Sequence, residues 1–257
     1  MTGVSETVIH SPIVSLRGVG KTFDSGTVAL DNFNLDVRAG EFVSLLGPSG
    51  CGKSSALRIV AGLSEATRGT VERPPGLIGF VFQDPTLMPW ADVATNVRLP
   101  LTLAHADGTS AQAAVARALD RVGLSDFTHA YPRELSGGMR MRVSIARALV
   151  TEPSLLLMDE PFAALDEISR FKLNNDLLRV WQELRRTVIF VTHSVFESVF
   201  LSQRIVVMTP HPGRVFAEIT IDAPYPRGEA FGTSAEYAAF CRTVTATLSE
   251  ATMASVS

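Results

Sequence analysis

The sequence contains little cysteine and no excess of positive charge. Its two cysteines, Cys51 and Cys241, offer neither a disulfide framework nor the ligand spacing of a zinc site, a composition that fits a reducing cytoplasm. Lysine and arginine number 23 against 26 acidic residues, which gives a formal net charge of −3. The chain therefore lacks the basic footprint of a nucleic-acid-binding protein, and we expect no DNA or RNA partner.

Long hydrophobic runs are also missing. No stretch approaches the ~18 apolar residues that span a bilayer, and the first residues do not combine a basic region with an apolar segment, as a secretory signal does. Any membrane role would therefore depend on another chain. The 257 residues, 46% of them hydrophobic, suffice for a core in one large domain, or in one domain with an added lobe.

A glycine-rich stretch matches the phosphate-binding pattern G-x-x-x-x-G-K-[ST] at every fixed position. It consists of Gly47, Pro48, Ser49, Gly50, Cys51, Gly52, Lys53 and Ser54. An apolar, strand-like run precedes it, and apolar residues at helical spacing follow it, which is the context that the motif requires. In such a P-loop the backbone N–H groups bind phosphate, Lys53 reaches the outer phosphates and Ser54 coordinates Mg²⁺. The alternative is a glycine and serine turn without a ligand.

The first part of the chain is rich in strand signals. Residues 13–23 and 28–37 alternate in the manner of strands and are joined by a turn, which predicts an antiparallel hairpin ahead of the P-loop. Residues 70–72 and 78–82 are two further strand candidates, separated by a turn that contains two prolines and a glycine.

A helical lobe is predicted in the middle of the chain. Residues 84–149 are rich in alanine and other helix formers, with Ser110 as the N-cap of a helix that ends near Val122. Beyond the lobe, the apolar runs 155–158 and 188–191 are typical of strands buried on both faces of a parallel sheet. A helical pattern lies between them, formed by Leu173, Leu177, Val180, Trp181 and Leu184. The predicted fold is α/β with a helical insertion and a flexible tail at residues 249–257.

Polar residues end both of these buried strands. Asp159 and Glu160 follow the first strand, and His193 follows the second. Because ligands bind at the carboxyl ends of parallel strands, we expect Asp159 to hold Mg²⁺ and Glu160 to act as the base for an attacking water. Solvated acids at a strand end, and a histidine that satisfies a local hydrogen bond, are the alternatives.

A second glycine-rich element lies far downstream of the P-loop. Leu135, Ser136, Gly137 and Gly138 precede a helical stripe, so a helix should begin close to Gly138 with Ser136 near its cap. The start of such a helix attracts anions, although the chain already has one phosphate site. A plain glycine turn is the alternative.

Together these motifs resemble the ATP-hydrolysing subunits of ABC transporters over roughly residues 13–215. Residues 135–138 correspond to the family's LSGG signature, and residues 155–160 to the Walker B strand with its catalytic glutamate. Residues 164–166 correspond to the D-loop, which ends with Asp166. The remaining matches are Gln83 at the Q-loop, His193 at the switch histidine and Phe23 at the aromatic that stacks on adenine. For Phe23, a place in the core is the alternative.

The resemblance implies a P-loop NTPase core with a mixed sheet, an N-terminal antiparallel β subdomain and an inserted helical lobe. A single ABC ATPase domain would cover residues 13–248, with its core in 13–83 and 150–220, the lobe in about 84–149 and a helical extension in about 234–248. Glu160, His193 and Gln83 would be catalytic. Nucleotide would contact Phe23, the eight P-loop residues, Ser136, Gly137, Gly138 and Asp166, and Mg²⁺ would contact Ser54, Gln83 and Asp159.

The same resemblance implies partners. In the family, the signature of one subunit contacts ATP held by the P-loop of another, so two copies would sandwich two Mg·ATP. They would drive a separate membrane permease that works with a solute-binding protein, and would lie peripherally at the cytoplasmic face of the inner membrane. A non-transport ABC ATPase and an exporter subunit are the alternatives.

One departure and several details narrow the resemblance. Met139 stands where many relatives carry glutamine, and methionine has no side-chain amide. Met139 and the segment 208–214 resemble the corresponding positions in the ATPases that import nitrate, sulfonates, taurine and pyrimidine precursors. About fifty residues follow the last core strand, so we expect no added β-barrel domain. The segment 87–90 would meet the membrane subunit, unless Trp90 anchors the lobe.

Overall fold

The computed structural model describes residues 12–106 and 108–254. Over this part of the chain the fold is mixed α/β, with two sheets and an α-helical insertion, as predicted. The strands are β1 (Val14–Thr22), β2 (Val28–Val37), β3 (Phe42–Leu46), β4 (Arg68–Glu72), β5 (Ile78–Val81), β6 (Leu155–Asp159), β7 (Thr187–Thr192), β8 (Arg204–Met208) and β9 (Val215–Thr220). The α-helices are α1 (Lys53–Val60), α2 (Val93–Leu103), α3 (Thr109–Arg121), α4 (Gly137–Leu149), α5 (Glu167–Leu184), α6 (Val195–Leu201), α7 (Glu229–Gly232) and α8 (Ala235–Met253).

The smaller sheet is antiparallel, with the order β2-β1-β4. The predicted hairpin of β1 and β2 is confirmed, and its apolar side chains, including Leu16 and Phe33, are buried except for Val28 at the start of β2. The two later strand candidates belong to different sheets, because β4 pairs with β1 whereas β5 pairs with β6. The turn between β4 and β5 therefore crosses from one sheet to the other.

The larger sheet has the order β5-β6-β7-β3-β8-β9 and is parallel except for β9. Every residue of β3, β6 and β7 is buried, which for β6 and β7 confirms the prediction from their continuous apolar runs. The chain crosses from β6 to the neighbouring β7 through α5, whose Leu173, Leu177 and Trp181 are buried. The carboxyl ends of these three adjacent strands consequently meet at one edge of the sheet.

The helical lobe lies between β5 and β6 in sequence and contains α2, α3 and α4. The side chain of Asp92 caps α2, and that of Ser136 caps α4. The predicted cap at Ser110 is wrong, because α3 begins at Thr109 and the chain enters it through Gly108 with a φ of 94°. Glycine reaches this angle without a steric penalty, and no side chain caps the first N–H groups of α3.

The C-terminal helix is longer than predicted. The extension predicted at residues 234–248 continues to Met253, so the prediction of a flexible tail is wrong for residues 249–253, while 255–257 lie outside the described residues. Ala251 is buried in the same cluster as Val244, and the Ser249 hydroxyl donates to the Thr245 carbonyl at 3.0 Å. These contacts offset the low helix propensity of the serine and threonine residues.

In the described part of the chain, no helix has both the length and the apolar character needed to cross a membrane.

Candidate functional site

The P-loop joins β3 to the start of α1. Its glycines are needed for the backbone path, because Gly50 and Gly52 have φ angles of 78° and 96°, in the left-handed region. A Cβ at Gly52 would also lie 2.5 Å from the carbonyl oxygen of Ala29 on β2. The loop therefore wraps tightly around the N-terminus of α1, where N–H groups without helical partners attract phosphate.

Lys53 is buried at the centre of this loop. Its Nζ atom donates hydrogen bonds to the carbonyls of Gly47 and Pro48 at 2.8 and 2.9 Å, and lies 3.6 Å from Oε1 of Glu160. These three oxygens compensate the cost of burying the ammonium group. A phosphate oxygen of a bound nucleotide would replace the neutral carbonyls with a charged acceptor, which makes a stronger hydrogen bond.

Ser54 and Asp159 form a second polar pair beside the lysine. The Ser54 hydroxyl donates to Oδ1 of Asp159 at 2.7 Å. Burial raises the pKa of Asp159, although the bond from Ser54 and the charges of Arg58 and Lys53 act in the opposite direction. Both side chains line a cavity of about 680 Å³, and Gln83 lines it as well.

These oxygens fit Mg²⁺. A hydroxyl, a carboxylate and an amide oxygen are hard ligands, and Mg²⁺ completes its shell with water and substrate phosphates. The described residues contain no group of three or more His, Cys, Asp or Glu side chains that could hold a metal by themselves. These side chains would therefore hold Mg²⁺ together with the phosphates of a bound nucleotide.

Glu160 and His193 meet at the ends of the adjacent strands β6 and β7. Nδ1 of His193 lies 2.9 Å from Oε2 of Glu160, and the backbone N–H of Glu160 donates to the Val191 carbonyl at 3.0 Å. Glu160 has a φ of 46°, which is uncommon for a residue with a side chain and is typical of functional positions. The bond to Glu160 uses Nδ1, so a ligand contact would fall to Nε2 on this exposed ring.

The signature residues lie at the start of α4, as predicted. Ser136 is exposed, and its Oγ atom accepts a hydrogen bond from the Met139 N–H at 3.3 Å. Gly137 lines the same cavity as Ser54 and Asp159, and the side chain of Met139 packs against the core of the lobe. The side chain of Met139 therefore contributes to packing within this subunit.

The structure gives the exposure or the hydrogen bonds of three residues whose contacts the family resemblance implies. Phe23 follows β1 and is 45% exposed, which excludes the alternative of a core position and leaves its ring accessible for stacking. Trp90 is 77% exposed, so the alternative that it anchors the lobe is wrong. Asp166 caps α5 by accepting from the Ser169 N–H at 2.9 Å, and this bond lowers the pKa of its carboxyl group. Their contacts with nucleotide or permease stay predictions.

The sequence reasoning missed one arginine beside the site. Arg147 on α4 donates to the Pro85 carbonyl at 2.7 Å, and to the carbonyl and hydroxyl of Thr86 at 2.9 and 3.0 Å. It thereby holds the loop that follows Gln83 against the signature helix. Burial lowers the pKa of Arg147. The signal in the sequence was a single cation within the largely apolar stretch of residues 143–150.

The part of the chain that forms this site is similar in sequence to known proteins. The family described as ABC transporter matches residues 30–163, which include the P-loop, the signature and the strand that ends at Asp159. An aliphatic sulfonates import ATP-binding protein of Pseudomonas syringae pv. tomato is 45% identical over 214 residues, which cover 83% of this chain and 90% of the relative. An uncharacterized ABC transporter ATP-binding protein of Methanocaldococcus jannaschii is 48% identical over 206 residues, 77% of each chain.

Solved structures agree with the sequence comparisons. A dimeric ATP-binding cassette in a post-hydrolysis state, bound to ADP and Pi, superposes with a TM-score of 0.71 at 34% identity and covers 82% of this chain and 100% of its own. A subunit of an ABC transporter complex from Clostridium perfringens has a TM-score of 0.75 at 28% identity, over 82% of this chain and 89% of its own. Ser54 of the P-loop, Gly137 of the signature and Asp159 at the end of β6 line one cleft. Together with these comparisons, they show that this chain belongs to the ABC transporter family and is an ATP-binding, ATP-hydrolysing subunit.

Proposed function

We propose that two copies of this chain sandwich two Mg·ATP and use their hydrolysis to drive import of a small solute through a separate membrane permease. The observation that carries the hydrolytic part is the position of Glu160. Its carboxylate is held between the ammonium of Lys53 at 3.6 Å and the imidazole of His193 at 2.9 Å, next to the pair of Ser54 and Asp159.

Phosphoryl transfer depends mainly on positioning and on charge stabilisation. The backbone N–H groups of the P-loop hold the phosphates, and Lys53 turns from the carbonyls of Gly47 and Pro48 to the outer phosphate oxygens. Ser54, Gln83 and Asp159 would hold Mg²⁺, which supplies positive charge to the β- and γ-phosphates when bound.

Glu160 orients the attacking water and accepts its proton as the new bond to phosphorus forms and the bond to the ADP oxygen breaks. His193 keeps Nδ1 on Glu160 and contacts the γ-phosphate through Nε2. Both residues follow buried, adjacent strands, so the two side chains are positioned by the rigid part of the fold.

The signature supports the sandwich. Ser136 accepts a hydrogen bond from Met139, so its own O–H is available to donate to a phosphate oxygen of the nucleotide in the second copy. Gly137 and Gly138 add N–H groups at the start of α4. Met139 cannot offer a side-chain amide, and we expect contacts near the ribose to differ from those of relatives with glutamine. A cassette that resembles this chain is dimeric with ADP and Pi bound, which supports a dimer of this chain.

The importer part of the proposal rests on relatives and on one exposed surface. Relatives named as aliphatic sulfonate importers share more than 40% of their residues with this chain, which favours a solute of the sulfonate type. Nitrate, taurine and pyrimidine precursors stay in the proposal through the resemblance of Met139 and the segment 208–214. Trp90 stands exposed after Leu87 and Met88, where an apolar helix of a permease would find a partner. The subunit would then lie at the cytoplasmic face of the inner membrane, and a solute-binding protein would deliver the solute to the permease.

Reconstitution tests this function. The chain is purified with a candidate permease and placed in vesicles with a candidate solute-binding protein. Addition of a sulfonate, nitrate, taurine or a pyrimidine precursor should stimulate ATP hydrolysis and carry the solute inward. Co-purification with DNA or ribosomes instead of a permease would favour a non-transport ABC ATPase, and outward movement of solute would favour an exporter.

A further inference from the structure

Glu197 is a buried carboxylate that the hydrolytic mechanism does not use. It lies on α6, one turn beyond His193, and only 6% of its surface is exposed. Its Oε2 atom accepts a hydrogen bond from the Thr192 hydroxyl at 2.5 Å, and Thr192 Oγ1 in turn accepts from the Ser194 N–H at 2.9 Å. Glu197 therefore anchors the residues on both sides of His193.

The other oxygen of Glu197 faces a second part of the site. Nε of Arg170, on α5, lies 3.4 Å from Oε1 of Glu197. Nη2 of the same guanidinium donates to the carbonyl of Leu165 at 3.1 Å. Leu165 and its neighbour Ala164 line the cavity that also contains Ser54, Gln83 and Asp159. A continuous chain of polar contacts thus joins the cavity wall at Leu165 to the backbone around His193.

Stability alone is a poor explanation for this link. Glu197 loses its hydration on burial, whereas the Arg170 side chain stays 31% exposed and gives back little Coulomb energy in partial contact with water. Apolar residues of similar volume often stabilise a protein as well as such a pair, or better. Burial raises the pKa of Glu197, which shows that its ionised form is held at a cost, although Thr192 and Arg170 oppose that effect. A charged pair at such a place is better suited to fixing geometry than to strengthening the core.

We propose that Arg170 and Glu197 are positioning residues that hold the His193 segment and the Leu165 segment in one arrangement, so that occupancy of the nucleotide cavity sets the place of His193. The proposal rests on the hydrolytic role of His193 given above. Arg170 and Glu197 act through the backbone on either side of the histidine and do not take part in the chemistry.

A double-mutant cycle on the full chain tests the link. Glu197→Gln keeps an oxygen for the Thr192 hydroxyl but removes the negative charge that faces Arg170. We expect the single-turnover hydrolysis rate, followed with radiolabelled ATP, to fall roughly 10-fold, as for the loss of one interaction worth about 1.4 kcal/mol in the transition state. The affinity for ATP should stay within about twofold, since the P-loop is intact. In a His193→Ala background the same change should have no further effect on the rate.

Thr192 provides a second variant pair that remains informative if Glu197→Gln does not fold. Thr192→Val removes the hydroxyl at nearly constant volume and should reduce the rate, whereas Thr192→Ser should restore it. Glu183→Gln is the matched control, because Glu183 also pairs with an arginine, Arg121, at 3.3 Å but lies exposed near the end of α5. It should leave the rate unchanged.

The outcomes separate the two proposals. If His193→Ala hydrolyses ATP like the wild type, the role given to His193 is wrong, and the positioning role is lost with it. If His193→Ala is slow and Glu197→Gln lowers the rate by the same factor in both backgrounds, only the positioning role is wrong. Equal rates for Thr192→Val and Thr192→Ser would also overturn it.

Discussion

Nδ1 of His193 lies 2.9 Å from Oε2 of Glu160, across the ends of two adjacent parallel strands. This contact joins the residue proposed to activate water to the residue proposed to contact the γ-phosphate. On the other side, Lys53 lies 3.6 Å from Oε1 of the same carboxylate. Glu160 therefore contacts both a P-loop residue and a residue at the end of β7 through one carboxylate.

Replacement of Glu160 by glutamine should separate binding from hydrolysis. Glu160→Gln keeps the size of the side chain and removes its basicity, so the rate of ATP hydrolysis should fall by roughly 10²–10⁴-fold. The dissociation constant for ATP, measured by fluorescence titration, should change little because the P-loop is untouched. A hydrolysis rate equal to that of the wild type would remove Glu160 from the role of base.

Asp159, proposed above as a Mg²⁺ ligand, should reduce the stability of the nucleotide-free protein. Burial raises the pKa of Asp159, so the folded state binds the proton more tightly than the unfolded state. Tighter proton binding stabilises the folded state fully only at a pH below the ordinary pKa of aspartate. This stabilisation is lost as pH rises through the raised pKa of Asp159 in the folded state. At neutral pH the buried carboxylate opposes folding, and Asp159→Asn should raise the melting temperature measured without Mg²⁺ or nucleotide.

The same variant should lose its Mg²⁺-dependent ATPase activity. Asp176→Asn is the control for stability, because Asp176 forms ion pairs with Arg142 and Arg179 and its replacement should lower the melting temperature. A melting temperature for Asp159→Asn below that of the wild type would contradict the account of this site.

Arg147 should control the position of Gln83. Its guanidinium makes three hydrogen bonds to Pro85 and Thr86, which no single ammonium can reproduce in this geometry. Arg147→Lys should therefore lower the free energy of unfolding by roughly 1–3 kcal/mol and raise the Mg²⁺ concentration needed for half-maximal ATPase activity. Chemical denaturation and a Mg²⁺ titration measure the two effects. An unchanged Mg²⁺ dependence would show that the loop is positioned without this arginine.

Phe23 should contribute affinity without contributing stability. Its ring is exposed, and Nζ of Lys21 lies 5.3 Å from the ring centre. Stacking of a base on an aromatic ring contributes about 1–3 kcal/mol, so Phe23→Ala should weaken ATP binding by roughly 5–150-fold. Phe23→Trp should retain the affinity, and neither variant should shift the melting temperature by more than a degree or two, as expected for an exposed site (~0.5 kcal/mol). Equal affinity in all three proteins would exclude stacking.

Local patterns predicted much of the fold and of the site. The strand before the P-loop, the buried runs that end at Asp159 and Thr192, and the cap at Ser136 all have signals within a few residues, and the structure contains each of them. The end of α8 was missed because the stripe that buries Ala251 is interrupted by serine and threonine residues.

Contacts between distant segments could not be read in the same way. Arg147 meets Thr86 across 61 positions, and Arg170 on α5 meets Glu197 on α6. Their partners depend on the order of strands in the sheet and on how the lobe docks, which no local periodicity contains. The position of β5 beside β6, and not beside β4, was hidden for the same reason.

Sedimentation velocity of Glu160→Gln, with and without Mg·ATP, is the most direct test of a nucleotide shared between two copies. We predict a monomer without nucleotide and a dimer with it, because hydrolysis no longer releases the partners. Adding Ser136→Ala should abolish the dimer while each monomer still binds ATP. A protein that stays monomeric with saturating Mg·ATP, or a Ser136→Ala variant that loses ATP binding and dimerisation to the same extent, would contradict it.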